Sequence, residues 1–241
     1  MKLRFKRFLS MDNPKAIKAA HYGYLNAINY MAPHTSGGKF NLCGNASLGC
    51  IQLCLGEHSG QAAMSEVVRD SRKRKAAYFM RERLAFMAEF VTHVEKAVKQ
   101  AEQAGLKLCV RPNGSTDIAF ESVACTRNGQ AYRNIMEAFP TVQFVDYTKN
   151  PTRFKRKLPD NYHLTFSRSE TNEAACADLL ESGINVAVVF ANNIPTAYLN
   201  RKVISGDDHD LRHLDPEGVV IGLTPKGSRA KRDTSGFVVR Q

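Results

Sequence analysis

Short apolar runs recur down this chain with helix-forming stretches between them, and that alternation constrains the fold more than any other feature. The runs are Leu106–Arg111, Val142–Tyr147, His163–Ser167, Ile184–Ala191 and Val219–Leu223. Ile184–Ala191 is apolar along nearly its whole length, as expected of a parallel strand buried on both faces. Between the runs, Tyr132–Phe139 reads as a helix closed by Pro140, and Thr171–Glu181 as one ended by Gly183. Upstream, Ser59–Lys75 and Ala76–Gln103 read as one long helical region with a bend, ended by Gly105. Val67, Phe79, Phe86, Phe90, Val94 and Val98 fall on its apolar stripe, and Arg69, Arg72, Lys73, Arg74 and Lys75 on its polar side. Residues 12–32 also read as a helix. Asp12 or Asn13 can cap it, Pro14 suits its first turn, and Ile17, Ala20, Tyr24, Ala27, Ile28 and Met31 recur at helical spacing before Pro33.

Strands alternating with helices argue for an α/β fold with a mainly parallel sheet. Adding a short strand at Phe40–Leu42 gives about six strands, so a partial (β/α) barrel is the leading architecture. A doubly wound open sheet is the alternative. No linker stands out. The expectation is one domain over residues 1–241, with a helical extension at 1–37 and a barrel-like core at 38–241.

The formal net charge is +11, which favours polyanionic partners such as nucleic acid or nucleotides. No apolar run approaches the roughly 20 residues of a membrane span. The basic N-terminal run Met1–Phe8 is followed at once by Asp12, Asn13, Pro14 and Lys15, without the apolar stretch of a signal peptide. A cytoplasmic location without a membrane partner is expected. Six cysteines in a chain this long do not make a small secreted disulfide framework. Cys109 and Cys176 lie in strand-like and helical runs, where a thiol serves as a small buried hydrophobe.

Cys125 is likewise scattered, and the remaining three cysteines are different. Cys43, Cys50 and Cys54 fall within twelve residues, spaced C-x6-C-x3-C, on a loop that also carries Gly44, Gly49 and Gly56. The spacing matches no common zinc motif. Three thiolates can hold an iron–sulfur cluster and leave one iron open. With His58 as a fourth ligand, the same loop would be a structural Cys3His zinc site. Exposed loop thiols are an oxidation liability unless used, which argues against an accidental cluster.

Polar residues follow each apolar run. They include Asn113, Ser115 and Asp117; Asp146 and Lys149; Ser167, Arg168 and Glu170; Asn192; and Lys226. In parallel α/β folds ligands bind outside the carboxyl ends of the strands, so these residues and the cysteine loop are expected to converge. Asp117, Asp146, Lys149, Arg168 and Glu170 are the candidate catalytic groups; Asn113, Ser115, Ser167 and Asn192 are candidates for holding a cofactor. Polar turns after strands are also ordinary turn chemistry. Asp207, Asp208, His209, Asp210, His213 and Asp215 form a second polar cluster, read as a solvated acidic turn with proton transfer as the sharper option. The basic run Arg153-Phe154-Lys155-Arg156-Lys157, with Tyr162 nearby, has the composition of a phosphate-contacting, base-stacking segment, or of a solvated face.

The runs Asn41–Cys50, Asn113–Asp117, Phe144–Pro151, His163–Glu170 and Gly206–Asp210 resemble the phage-encoded "gene product 88" family over roughly residues 38–240. That resemblance implies a viral origin and little chemistry. A weaker architectural resemblance is to radical SAM enzymes, which place three cysteines after the first barrel strand. It implies a 4Fe–4S cluster on Cys43, Cys50 and Cys54, with S-adenosylmethionine at its open iron. Those enzymes use C-x3-C-x2-C and a Gly-Gly-Glu run after the second strand. This chain has C-x6-C-x3-C, and Asn113–Asp117 in place of that run. The expected function is an iron–sulfur enzyme acting on a nucleotide or nucleic-acid base, as in phage DNA-base modification that evades host restriction. The alternative is a non-enzymatic nucleic-acid-binding protein with a structural zinc.

Overall fold

A computed structural model describes residues 3–240; Met1 and Lys2, from the basic N-terminal run, and Gln241 lie outside the described residues. The chain enters through α1 (Pro14–Lys18), capped by Asn13, whose Oδ1 accepts the Ala16 N–H at 3.0 Å. A 3-10 turn over Ala19–Tyr22 follows. Gly23, at φ 78°, then ends the helical path and β1 (Tyr24–Ile28) begins. The helix expected over residues 12–32 is therefore corrected to a short helix and an edge strand. Apolar residues at 24, 27 and 28 fit both periods, and the left-handed glycine decides between them.

Phe40–Leu42 is not a strand. It is irregular backbone fixed by the Leu42 N–H on His34 O and by the Asp117 N–H on Leu42 O. Next come α2 (Leu48–Gln52), α3 (Leu55–His58), α4 (Gly60–Met64), α5 (Glu66–Arg81) and α6 (Arg83–Gln103); the long helical region expected over Ser59–Gln103 is broken at Ser65 and Glu82, and not at Lys75–Ala76. After β2 (Lys107–Arg111), the hairpin β3 (Cys125–Arg127) and β4 (Gln130–Tyr132) turns on Asn128-Gly129, both at positive φ. Then follow α7 (Ile135–Ala138), β5 (Gln143–Thr148), β6 (Tyr162–Ser167), α8 (Glu173–Glu181), β7 (Val186–Val189), β8 (Ala197–Tyr198), β9 (Arg201–Ser205), β10 (Val220–Leu223) and α9 (Gly227–Lys231).

Eight strands form one sheet in the order β1-β2-β5-β6-β7-β10-β9-β8, parallel except for the β8–β9 pair. β1 and β8 are its two edges, so the sheet is open and not a closed barrel. From β1 to β10 the parallel strands lie side by side in chain order. Right-handed crossovers then put the connecting helices on one face. The side chains follow this: Leu108, Val110, Phe144, Leu164, Phe166, Val186 and Val188 bury that face with residues of α5, α6 and α8.

The opposite face carries Cys109, Val145, Ala187 and Ile221, with His163 and Thr165 alternating among the inward residues of β6. No crossover helix covers it. Ala19 and Leu211 do, with Leu211 belonging to the segment between β9 and β10. Arg212 follows at 1% exposure and donates to His209 O at 2.6 Å. Its Nε stands 3.2 Å from Asp215 Oδ2 as an ion pair, although the two are not aligned as a hydrogen bond. Burial pushes the His163 and His213 imidazoles down to about 4, and the Arg212 charge adds to both. Both rings are therefore neutral at pH 7.

These two histidines set a pH dependence. Unfolded imidazoles titrate near pH 6.5 and the folded ones near 4, so between those values the unfolded chain binds more protons. Their contribution to stability is complete above about pH 6.5 and is lost as pH falls towards 4. Asp146 opposes them: burial raises it to about 6, so folding is favoured as this carboxyl protonates. Urea unfolding at pH 7 and pH 5 should show a net loss of stability in acid, on the order of 1–3 kcal/mol. That loss should shrink in the His163→Gln/His213→Gln double variant. An equal loss in the variant would assign the acid sensitivity elsewhere.

Candidate functional site

The segment between β1 and α5 lies over the carboxyl ends of the strands, and neighbouring loops hold it there. Gly114 donates its N–H to Asn29 O at 2.8 Å, Ser115 Oγ to Met31 O at 2.6 Å, and Asp117 N–H to Leu42 O at 2.9 Å. Glu170, after β6, accepts Ser47 Oγ at 2.7 Å and the Gly49 N–H at 2.8 Å. These bonds hold the Glu170 carboxyl below the usual range against the opposing effect of burial. Ser47 in turn caps α2 by accepting the Cys50 N–H at 3.2 Å. The contact is close: a Cβ on Gly49 would lie 2.6 Å from Ser235 Oγ and 2.9 Å from Phe237 Cβ. The cysteine loop thus follows the first strand, as expected, but that strand is β1 and not Phe40–Leu42.

Cys43, Cys50 and Cys54 are free and partly buried. Cys43 Sγ accepts the His34 N–H at 3.3 Å and donates to Ser115 O at 3.8 Å. Burial pushes the Cys43 thiol up to about 11 and the Cys54 thiol up to about 12. The N–H groups of His34 and Gly56 pull the other way on Cys43 and Cys54, respectively. Cys50 adds to the rise of Cys43, and Cys43 and Cys50 both add to that of Cys54. His58 is not among them; its own charged neighbours are Arg229, Glu57 and His34. Among the described residues, no group of three or more His, Cys, Asp or Glu side chains is arranged to hold a metal ion.

The other expected site residues divide into two sets. Lys149, Ser167, Arg168 and Glu170 reach the cysteine segment or the C-terminal tail over it. Lys149 Nζ donates to Ser167 Oγ at 2.8 Å, stands 5.2 Å from the centre of the Phe237 ring, and is near enough to lower Cys43. Arg168 donates to Gly236 O at 2.6 Å and to Phe237 O at 3.1 Å. By contrast, Asn113, Ser115, Asp117 and Asp146 build the loop beneath. Asp146 is fully buried and accepts the Asn113 N–H and side-chain amide at 2.9 and 2.8 Å. Asn113 Oδ1 closes the turn on Thr116 and Ile118. Asp117 pairs with Arg153 at 3.0 Å and accepts the Lys149 N–H at 2.9 Å. Asn192 is exposed beyond β7.

The basic run at Arg153–Lys157 is corrected. Arg153 is 6% exposed, bonded to Asp117, Glu121 and Tyr162, and Phe154 packs against both large cores. The second polar cluster is not one solvated turn. Asp210 is buried between Lys15 and Arg111, at 3.3 and 3.2 Å, while Asp208 is exposed.

Several residues at the strand ends carry no signal as a motif. Arg111 stacks on Tyr147 at 4.6 Å, and Arg72 stacks on Tyr30 at 4.6 Å while donating to Gly56 O at 2.7 Å. The C-terminal tail joins the sheet through a parallel bridge between Val239 and Phe190. The only trace of that role in the sequence is Phe237-Val238-Val239 after a glycine.

The chain belongs to the gene product 88 family, whose model matches residues 6–241. No curated protein and no solved structure matches it.

Glu170 is the clamp on the cysteine helix. Glu170→Ala should leave the fold in place, lower stability by about 1–3 kcal/mol, and raise both amide exchange over residues 47–50 and the alkylation rate of Cys50. An alkylation rate equal to that of the original protein would show that the carboxylate does not hold this segment.

Proposed function

We propose that this member of the gene product 88 family is an iron–sulfur protein in which Cys43, Cys50 and Cys54 ligate a 4Fe–4S cluster, acting on a nucleotide or nucleic-acid base. The observation that carries the reading is the placement of three free, partly buried thiols on one short segment at the carboxyl ends of parallel strands. Ligands of open α/β sheets bind at that edge.

The donor chemistry suits the group, although the three side chains do not stand in a ligating arrangement in this structure. Clusters are held by cysteine thiolates, and each thiolate bonds a different iron, so the sulfurs need not close to the spacing of one tetrahedral ion. N–H groups of His34 and Gly56 are aimed at two of the sulfurs and favour their thiolate forms. Gly56 also keeps the backbone close: a Cβ there would lie 2.7 Å from Ser115 Cβ. A single zinc on the three cysteines and His58 has less support, because the charged neighbours of His58 are Arg229, Glu57 and His34 and not the thiols. A bound cluster would supply electron transfer at an iron with an open position.

The chain's own residues would bind and orient an anionic substrate. Lys149 donates to a hydroxyl and pairs with no carboxylate among the described residues, so it is the cation best placed to take a phosphate. Arg111 and Arg72 lie over aromatic rings at the same edge. S-adenosylmethionine has less support, because Asn113–Asp117, which stands where a Gly-Gly-Glu run would, has its polar side chains committed to Asp146, Met31 O, Asn113 and Arg153.

Anaerobic purification with iron and sulfide analysis tests this reading. About four of each per chain are expected, with a broad visible absorption that reductant bleaches. Cys43→Ala, Cys50→Ala and Cys54→Ala should each lose the iron, while Cys109→Ala, Cys125→Ala and Cys176→Ala should keep it. Because Cys43 and Cys54 hold their protons in the free chain, loading should also improve as pH rises. A colourless protein holding one zinc, or no metal under any condition, would overturn the reading.

A further inference from the structure

A basic cleft of about 560 Å³ runs between the N-terminal segment and α5. Its walls carry Arg4, Lys6 and Arg7 on one side and Arg74 and Arg81 on the other, and Glu82 is its one carboxylate. Arg4 uses that carboxylate, at 2.8 Å. Arg7 has only an exposed contact to Asp12, at 3.3 Å, a kind of pair worth little in water. Lys6, Arg74 and Arg81 are exposed and have no carboxylate partner among the described residues. Gathering five cations around one concave surface is self-repulsive, and a polyanion relieves it. Its aromatic residues, Phe5 and Tyr78, are buried as the floor.

We infer that this cleft is a docking track for the phosphate backbone of a nucleic acid. Its shape fits a strand: Ser71 to Arg81 advances about 15 Å along α5, the length of about four nucleotides of one strand at 3.4 Å each. The buried rings offer no face for stacking, so the track reads backbone and not sequence. The inference names the partner of the proposed function and does not depend on what happens at the cysteines.

The test is fluorescence anisotropy with a labelled 20-nucleotide single strand and its duplex over a salt series, using full-length protein and the Arg74→Glu/Arg81→Glu variant. The variant should bind at least about tenfold more weakly, and its log K against log salt slope should be shallower by about 1.4–1.8, for two lost phosphate contacts. Circular dichroism should be unchanged, because both side chains are exposed. Affinity should not depend on sequence. Unchanged affinity and slope in the variant would overturn the inference. So would binding to vesicles of anionic phospholipid with none to the oligonucleotides, which would make the cleft a membrane contact. Iron content is measured separately, so a protein that binds nucleic acid without a cluster would refute the metal reading and leave this one standing.

Discussion

One buried guanidinium organises the strand ends. Arg153 donates to Glu121 at 2.8 and 2.7 Å, to Asp117 at 3.0 Å and to the Tyr162 hydroxyl at 2.8 Å. Tyr162 passes the connection to Asp146 at 3.0 Å, and Asp146 fixes the Asn113 turn. A buried charge survives only when paired and hydrogen-bonded, and losing one member of such a network typically costs about 3–5 kcal/mol. The network therefore locks together the loops after β2 and β5 and the start of β6. The cysteine segment inherits that order, because Asp117 presents its N–H to Leu42, the residue before Cys43.

The two faces of the sheet are built differently, and that difference leaves the carboxyl edge available. Crossover helices bury one face with large aromatic and aliphatic side chains. The other face is filled by the segment carrying Leu211, Arg212 and His213, which came too late in the chain to be a crossover between the first strands. That filling is polar. Asn26, His163, Thr165 and His213 have buried polar atoms without a protein partner among the described residues, a pattern that calls for ordered water. Asp210 joins the filling to the edge by holding Lys15 and Arg111. Arg111 is thereby set across the Tyr147 ring.

Much of this organisation is legible in the sequence, for a physical reason. Buried parallel strands must be apolar along their length, so β2, β5, β6, β7 and β10 announce themselves, and the loops after them collect at one edge whatever the curvature of the sheet. Sheet closure is not encoded in strand count, so a partial barrel and an open sheet look alike until pairing is seen. β1 was hidden by its double periodicity, and the register of Gly23 carried the answer. The β3–β4 hairpin had a local signal in Asn128-Gly129, a dipeptide suited to positive φ at both turn positions. Charge was the least legible property. Arg153 and Arg156 are near neighbours in one basic run, yet the first is a buried hub and the second is exposed. Only long-range partners such as Glu121 distinguish them, and a sequence does not display its pairings. The same holds within the candidate site, where Asn113 and Asp146 look like mouth residues by position but face each other beneath it.

The thiols show how fold and candidate chemistry depend on each other. Burial and mutual repulsion keep Cys43 and Cys54 protonated in the free chain, with Asp117 adding to the effect on Cys43 and Glu57 to that on Cys54. That pair would be a poor place for negative charge unless a cation stood beside it. Lys149 acts in that sense on Cys43, but its ammonium is tied to Ser167. A metal core would supply the missing positive charge, because ligation deprotonates a thiol outright and reverses the local pKa logic. The segment is anchored at Leu42, Ser47 and Gly49 by groups outside it, so its course does not depend on the sulfurs being joined. A scaffold that fixes the loop from outside while leaving its thiols unpaired can exist without a ligand and still present three donors to one.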